Sequence, residues 1–355
     1  MKIVADENLA FTDYFFSEFG AIQHVAGRNL SHQDVVDTDA LLVRSVTKVN
    51  AALVQNTALR YVGSATIGTD HLDIQALNAA GIPWSNAAGC NAQAVAEYVI
   101  TALLHLNPEL ISVEQNFCLG IVGLGNVGSR LATMAQLLGW QVIAYDPLVS
   151  IESVTQVEFS ALLAQADAIS IHVPLTKTGQ YPTYHLFNAA SLAQMKLNAI
   201  LINSARGPVV EEAALMQDIR VTHRKVVLDV FEHEPEISEE LLQLLALATP
   251  HIAGYSLEGK ARGTQMIYEA FCQVFNLAAT KCFETQLPSC EPYFANTDFK
   301  AVLIQYLVQI YDIAQDDANL RACVKQGKVE QHAFDTLRKN YPLRREWAAH
   351  GGPQA

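Results

Sequence analysis

Residues 118–139 read CLGIVGLGNVGSRLATMAQLLG: a short apolar run, a glycine-rich turn, then a stretch with helical periodicity. Strand, turn and helix in that order make the βα unit that binds a dinucleotide. Gly123 permits the tight turn, Gly125 lets the backbone approach a pyrophosphate, and Gly128 lets helix and strand pack closely. Asn126 and Val127 fill the turn, and the helix start offers N–H groups and a positive dipole end to phosphates. Asp146 closes the next apolar run, WQVIAYD (140–146), 18 residues after Gly128. A carboxylate there accepts from ribose hydroxyls and repels a 2′-phosphate, which predicts NAD rather than NADP.

Downstream, DAISIHV (167–173), AILINSA (199–205) and KVVLDVF (225–231) are short, nearly continuous apolar runs, as expected for central parallel strands. Upstream, KIVA (2–5), ALLVRS (40–45), YVGSA (61–65) and IPWSN (82–86) form a second strand series. Helices are predicted from an Asn8 cap to Gly20 and from Asp70 to Ala80. NAQAVAEYVITALLHL (91–106) predicts a long helix capped by Asn91, a candidate bridge between domains. Further helices are predicted from Leu257 to Leu277 and from Lys300 to Ile313, ahead of a basic tail, LRKNYPLRREW (337–347).

A chain of 355 residues is too long for one ordinary core. Half of it is hydrophobic and 17% charged, which excludes a disordered chain. No apolar stretch is long enough to cross a bilayer, and Asp6 and Glu7 interrupt any leader-like run, so a cytoplasmic protein without a membrane partner is expected. The six cysteines are scattered, which predicts reduced thiols and no metal site. A net charge of -13 argues against nucleic acid as a partner. It leaves room for a small anionic substrate, provided a few cations line the cleft.

Three ionisable residues follow successive apolar runs: Arg206 in NSARGPVV, Glu234 in DVFEHEP and His251 in TPHIAGY. Open α/β sheets place ligands at this carboxyl edge. An arginine can hold a carboxylate in bidentate fashion, a histidine exchanges a proton near neutral pH, and a glutamate beside it orients the ring. Oxidation of a hydroxy acid needs those functions together with NAD.

The run GLGNVG, HVPLT, NSARGPVV, DVFEHEP and HIAGYSLEG resembles the D-isomer-specific 2-hydroxyacid dehydrogenases. The resemblance implies that Arg206, Glu234 and His251 are catalytic. It implies an α/β fold with a Rossmann nucleotide-binding domain (93–254) inserted in a flavodoxin-like substrate domain (1–92 and 255–280). MKIVADEN, VRSVTKVN (43–50), GTDHLD (68–73), AAGCNAQAVAEYV (87–99), HIAGYSLEGKARGT (251–264) and LRKNYPLRREW match one branch of that family over nearly the whole chain. Membership of that branch implies a small phosphorylated hydroxy acid as substrate, a place in vitamin B6 synthesis, and a homodimer. The dimer is joined by a small α+β C-terminal dimerisation domain (281–355). Ser45, Thr66 and Tyr255 are the implied substrate contacts. On the cofactor side, Val173, Ser204, Asp229 and Gly254 join the glycine turn and Asp146. For the substrate phosphate, Arg44, Lys48 and the pair Arg344 and Arg345 are candidates. Two other readings stay open: a dehydrogenase of another hydroxy acid, such as 3-phosphoglycerate or glyoxylate, and a non-catalytic NAD-sensing assembly protein.

Overall fold

A computed structural model describes residues 1–112, 116–295 and 297–354. They fall into two compact units, 1–91 with 256–289 and 92–255 with 290–355.

The first unit carries five strands: β1 (Lys2–Asp6), β2 (Ala21–Val25), β3 (Ala40–Val43), β4 (Tyr61–Ser64) and β5 (Trp84–Asn86). All pair in parallel, in the order β2-β1-β3-β4-β5. This is the flavodoxin-like order, with its switch point between β1 and β3. Two apolar clusters cover the sheet, one built on Phe15, Phe16, Tyr268 and Phe271, the other on Val35, Leu53 and Leu77. The helix Leu257–Val274 belongs to this unit and starts where Ser256 Oγ accepts from Gly259 N–H. The helix predicted from Asn8 is confined to Thr12–Phe16. Asn8 spends its N–H on Asp6 Oδ1 at 2.8 Å, so it extends a turn instead of capping a helix. The helix predicted from Asp70 starts at Ile74, because Asp73 is the cap and accepts from Ala76 N–H.

The second unit has a seven-stranded parallel sheet. Its strands are β6 (Cys118–Val122), β7 (Gln141–Tyr145), β8 (Thr155–Gln156), β9 (Ala168–Ile171), β10 (Ile200–Asn203) and β11 (Val226–Leu228), with β13 (Leu247–Ala248) following the short strand β12 (Ile237–Ser238). The order is β13-β11-β10-β9-β6-β7-β8, so the direction reverses between β6 and β9. Ligands of open α/β sheets bind outside the carboxyl ends of the strands at such a reversal. The helix Ala92–Leu106 is buried over most of its length and packs on the helix Asn126–Leu137.

The C-terminal segment adds β14 (Val324–Lys325) and β15 (Lys328–Val329), which form an antiparallel three-stranded sheet with β12. It therefore shares a sheet with the nucleotide-binding unit. Trp347, 1% exposed, donates its backbone N–H to Glu97 Oε1 of the long helix at 2.9 Å. The single helix predicted from Lys300 to Ile313 is two, Phe299–Ile310 and Ile313–Arg321. Tyr311 is extended, and Asp312 caps the second helix through Gln315 N–H. None of the six cysteines is in a disulfide, and no cluster of metal-ligating side chains occurs among the described residues. No helix among them is long and apolar enough to cross a membrane.

Candidate active site

The glycine turn is built by close contact. A Cβ on Gly128 would lie 1.9 Å from Gly123 O, and Gly123 itself has φ +97. A Cβ on Gly123 would meet the His172 carbonyl at 2.9 Å and Val173 Cγ1 at 3.0 Å. The HVP segment after β9 therefore lies directly on the turn after β6, which places Val173 at the reversal of strand order. Gly125 differs: nothing lies within 4 Å of its would-be Cβ. It is also the N-cap of the helix Asn126–Leu137 and makes no side-chain cap. The turn thus presents backbone to open space at a helix start, a cradle that suits a pyrophosphate.

Asp146 is fixed by three backbone donors. Its Oδ2 accepts from Leu124 N–H at 2.7 Å, and Oδ1 accepts from Leu148 and Val149 N–H at 2.8 and 3.0 Å. Each carboxylate oxygen can accept more than one hydrogen bond, so capacity for hydroxyl donors remains. Ser204 Oγ is buried and has no hydrogen-bond partner among the described residues. A buried unpaired hydroxyl carries a cost, and a bound polar ligand is one way to remove it. These three features fit a dinucleotide.

The three ionisable residues converge on one loop system of the second unit. Arg206 follows β10, and Asn203 Nδ2 donates to its carbonyl at 2.9 Å. Gly207 approaches the next strand's exit so closely that a Cβ would lie 1.8 Å from Phe231 O and 2.6 Å from Glu232 N. That contact ties the Arg206 turn to the segment bearing Glu234. Glu234 Oε1 accepts from Phe231 N–H at 2.8 Å, and its Oε2 pairs with His251 Nδ1 at 2.9 Å. Burial raises the Glu234 carboxyl, but His251, the Phe231 N–H and Arg338 outweigh it and hold the group below the usual range. His251 itself has a left-handed backbone, φ 57, a conformation uncommon for a residue with a side chain.

Asp229 shapes the loop that bears His251. Its Oδ1 accepts from Thr249 Oγ1 at 2.6 Å and Ile252 N–H at 2.8 Å, and Oδ2 accepts from Ala253 N–H at 2.9 Å. With the Thr249 proton committed to Asp229, Tyr98 donates its own to Thr249 Oγ1 at 2.7 Å. Burial pushes the Asp229 carboxyl up, opposed by His251 and these donors. Gly254 and Tyr255 continue the same loop. His172 of the HVP segment is a different kind of histidine. Burial pushes it down to about 3, and its Nε2 is 2.8 Å from Ser170 Oγ, so it stays neutral.

Ser45 and Thr66 belong to the first unit. Ser45 is exposed after β3, and Thr66 Oγ1 lies 2.8 Å from Ser64 Oγ. Arg44, beside Ser45, donates from Nε to the buried Asp6 at 3.2 Å, across the switch point of that sheet. Lys48 is exposed. Arg344, a candidate for the substrate phosphate, is instead a buried clamp. Its Nη1 donates to the carbonyls of Ile252 and Tyr255 at 3.2 and 3.3 Å, and its Nη2 to Ala253 and, at 3.1 Å, to Ala94. Its guanidinium also lies 4.3 Å from the Tyr311 ring centroid. A guanidinium spent on backbone carbonyls holds the His251 loop and does not read phosphate. The sequence reading missed this role, along with Arg338. Both lie in the quoted tail LRKNYPLRREW, but their partners are distant in the chain.

The fold and site define a class. Residues 110–253 match the family model described as D-isomer specific 2-hydroxyacid dehydrogenase, NAD binding domain, and residues 293–350 match a domain of unknown function. Among solved structures, a protein from Thermus thermophilus aligns with TM-score 0.68 at 25% identity, covering 78% of this chain and 97% of that one. A D-lactate dehydrogenase from Aquifex aeolicus, complexed with NAD and lactic acid, shares the fold with TM-score 0.63 at 22% identity, covering 78% and 96%. Residues 110–253 thus form a NAD-binding domain of this class.

Full-length relatives narrow it. An erythronate-4-phosphate dehydrogenase of Acinetobacter baumannii is 75% identical over 355 residues, all of both chains. That of Acinetobacter baylyi is 68% identical over the same span, and that of Psychrobacter cryohalolentis 44%, covering 98% of this chain and 97% of its own. The chain belongs to the erythronate-4-phosphate dehydrogenase family.

Proposed function

We propose that this enzyme oxidises 4-phospho-D-erythronate at C2 to (R)-3-hydroxy-2-oxo-4-phosphooxybutanoate, a cytoplasmic step toward pyridoxine 5′-phosphate. The observation that carries the chemistry is the His251–Glu234 pair, 2.9 Å apart on the loop system that also holds Arg206. Glu234 occupies Nδ1 of His251 and leaves Nε2 to take the C2 hydroxyl proton. The Glu234 carboxylate then stabilises the resulting imidazolium. Arg206 holds the substrate carboxylate and the C2 oxygen, and its charge gains value as the carbonyl forms. Bound NAD supplies the acceptor for the hydride that leaves C2.

The residues that would hold the cofactor are the turn Gly123, Gly125, Asn126, Val127 and Gly128, with Asp146 for the ribose. Val173, Ser204, Asp229 and Gly254 complete the set. Ser45, Thr66 and Tyr255 are proposed as substrate contacts. A direct test is NADH absorbance with a panel of 2-hydroxy acids. 4-Phosphoerythronate is expected to be turned over best, and preferred turnover of 3-phosphoglycerate would sink the assignment. Gly125→Ala tests the cofactor site. It adds a methyl where no protein atom lies within 4 Å, so KM for NAD should rise while thermal stability stays unchanged.

The C-terminal segment is proposed to join two copies into a homodimer. Ile304 and Val308, one turn apart on the helix Phe299–Ile310, are 59% and 62% exposed. They edge an apolar groove of about 350 Å³ shared with Leu104, Ile111 and Leu307. Such a patch on a soluble enzyme marks an association surface, and a second copy fits a patch that is itself apolar. Sedimentation of Ile304→Glu/Val308→Glu should give monomers. A dimer of undiminished stability would refute the placement.

A further inference from the structure

The helix Gln331–Lys339 lies outside the residues that match the NAD-binding family, in the segment matched only by a domain of unknown function. It nonetheless delivers a cation to the loop that carries His251. Arg338 donates from Nη2 to the phenol oxygen of Tyr255 at 3.1 Å. Its guanidinium carbon lies 5.8 Å from the Tyr255 ring centroid and 5.6 Å from that of Phe334. Its Nε is buried without a hydrogen-bond partner among the described residues. A charged group stripped of water at one nitrogen is costly unless its field is used. Its field adds to the stronger pull of His251 and the Phe231 N–H on the Glu234 carboxylate, the partner of His251.

We propose that Arg338 is a positioning residue for the substrate contact on the loop that carries His251: it fixes the Tyr255 phenol there, and its charge acts on the Glu234 carboxylate. The inference rests on the reading of His251 and Glu234 given above and adds a part of the site that the NAD-binding domain alone lacks. Two effects follow. A phenol oxygen that accepts from a cation has a more polarised O–H, which makes Tyr255 a better donor to an anionic substrate oxygen. A cation whose field acts on Glu234 keeps the carboxylate ionised to lower pH. The groups that act on Glu234 are His251 on the 249–255 loop, Phe231 N–H on its own segment and Arg338 on the C-terminal helix; Asp229, which follows β11, is charge-coupled to the same His251.

The test uses the full chain, with NAD and 4-phosphoerythronate. Arg338→Gln should raise KM for the hydroxy acid about tenfold, the value of one charge-assisted hydrogen bond. It should also move the acid-side fall of kcat/KM to higher pH, because Glu234 loses a stabilising cation. Arg338→Lys should restore the acid limb and only part of KM. A purely structural arginine would lower stability and leave the acid limb in place. A folded Arg338→Gln with unchanged KM and unchanged acid limb overturns the inference. If Arg338→Gln does not fold, Tyr255→Phe and Arg338→Lys decide. Their effects on KM should overlap in the double variant, and effects that multiply overturn the proposal. His251→Ala separates the two levels. Near-normal turnover of that variant defeats the proton-transfer reading itself. Lost turnover there with a silent Arg338→Gln defeats only the role of Arg338.

Discussion

Two histidine–glutamate pairs stand on one short segment of the second unit. Glu234 pairs with His251 Nδ1 at 2.9 Å, and Glu232 pairs with His185 Nε2 at 2.6 Å. Both histidines have left-handed backbones, φ 57 and 53. Both carboxyls are held below the ordinary range. Distance, strain and titration therefore do not tell them apart. Their surroundings do. The second oxygen of Glu232 is taken by Glu212 N–H at 2.8 Å, and the Tyr184 ring stacks on His185 at 3.9 Å. That pair fastens the loop after β9 to the loop after β11. The Glu234–His251 pair is coupled instead to Asp229 and Arg338, on the loop that continues into Gly254 and Tyr255. A histidine–carboxylate pair is a machine part only where the ring's other nitrogen can meet a substrate.

The largest contrast should appear in turnover. His251→Ala is expected to lose a factor on the order of 10²–10⁴ in kcat, the usual worth of a general base. His185→Ala should stay within about tenfold of the parent and lose about 1–2 kcal/mol of stability as Glu232 is left half-paired. Equal losses of turnover in the two variants would erase the distinction. Gly207→Ala probes what the pairs share. Its methyl would collide with Phe231 O, so the segment bearing both glutamates must move. Lower stability by about 2–4 kcal/mol and reduced turnover should appear together, read by thermal melts and kinetics on the same sample.

Glu234→Gln against Glu232→Gln sharpens the comparison further. The first should lower kcat about tenfold or more with NAD binding intact, since an amide cannot balance an imidazolium. The second should leave kcat nearly unchanged. The smallest effect concerns pH. Both carboxyls sit below the ordinary value of 4.5 in the folded protein. Between folded and unfolded values the unfolded chain binds more protons, so each pair stabilises the native state above about pH 4.5. That contribution is lost as pH falls through the folded values. In urea titrations from about pH 6 to about pH 3, either Gln variant should show a shallower loss of stability than the parent. A parent-like slope in both would mean that neither carboxylate is held as described.

Much of the second unit was legible in the chain itself. GLGNVG could be read because its constraints are local: φ +97 at Gly123 and the contact of Gly128 with Gly123 O lie within a single turn of chain. The strand runs were legible because both faces of central parallel strands are buried, which leaves unbroken apolar text. Boundaries failed where a side chain chose a different partner. Asn8 turned back to Asp6, Asp73 took the cap expected earlier, and Asp312 restarted a helix read as continuous. Arg344 reads as a phosphate candidate because a run of arginines looks the same whether solvated or buried.

The sequence by itself determined a glycine-rich strand–turn–helix with an acid at the end of the next strand, two series of parallel strands, and the three ionisable residues that follow them. Those readings depend on spacing along a strand or turn, and spacing is printed in the chain. Only the tertiary structure decided which glutamate pairs with which histidine, that Asp229 and Arg344 hold the His251 loop, and that Arg338 reaches Tyr255 from 83 residues away. Charges and hydrogen bonds act over a few ångströms of space, and the fold alone brings such distant residues within that range.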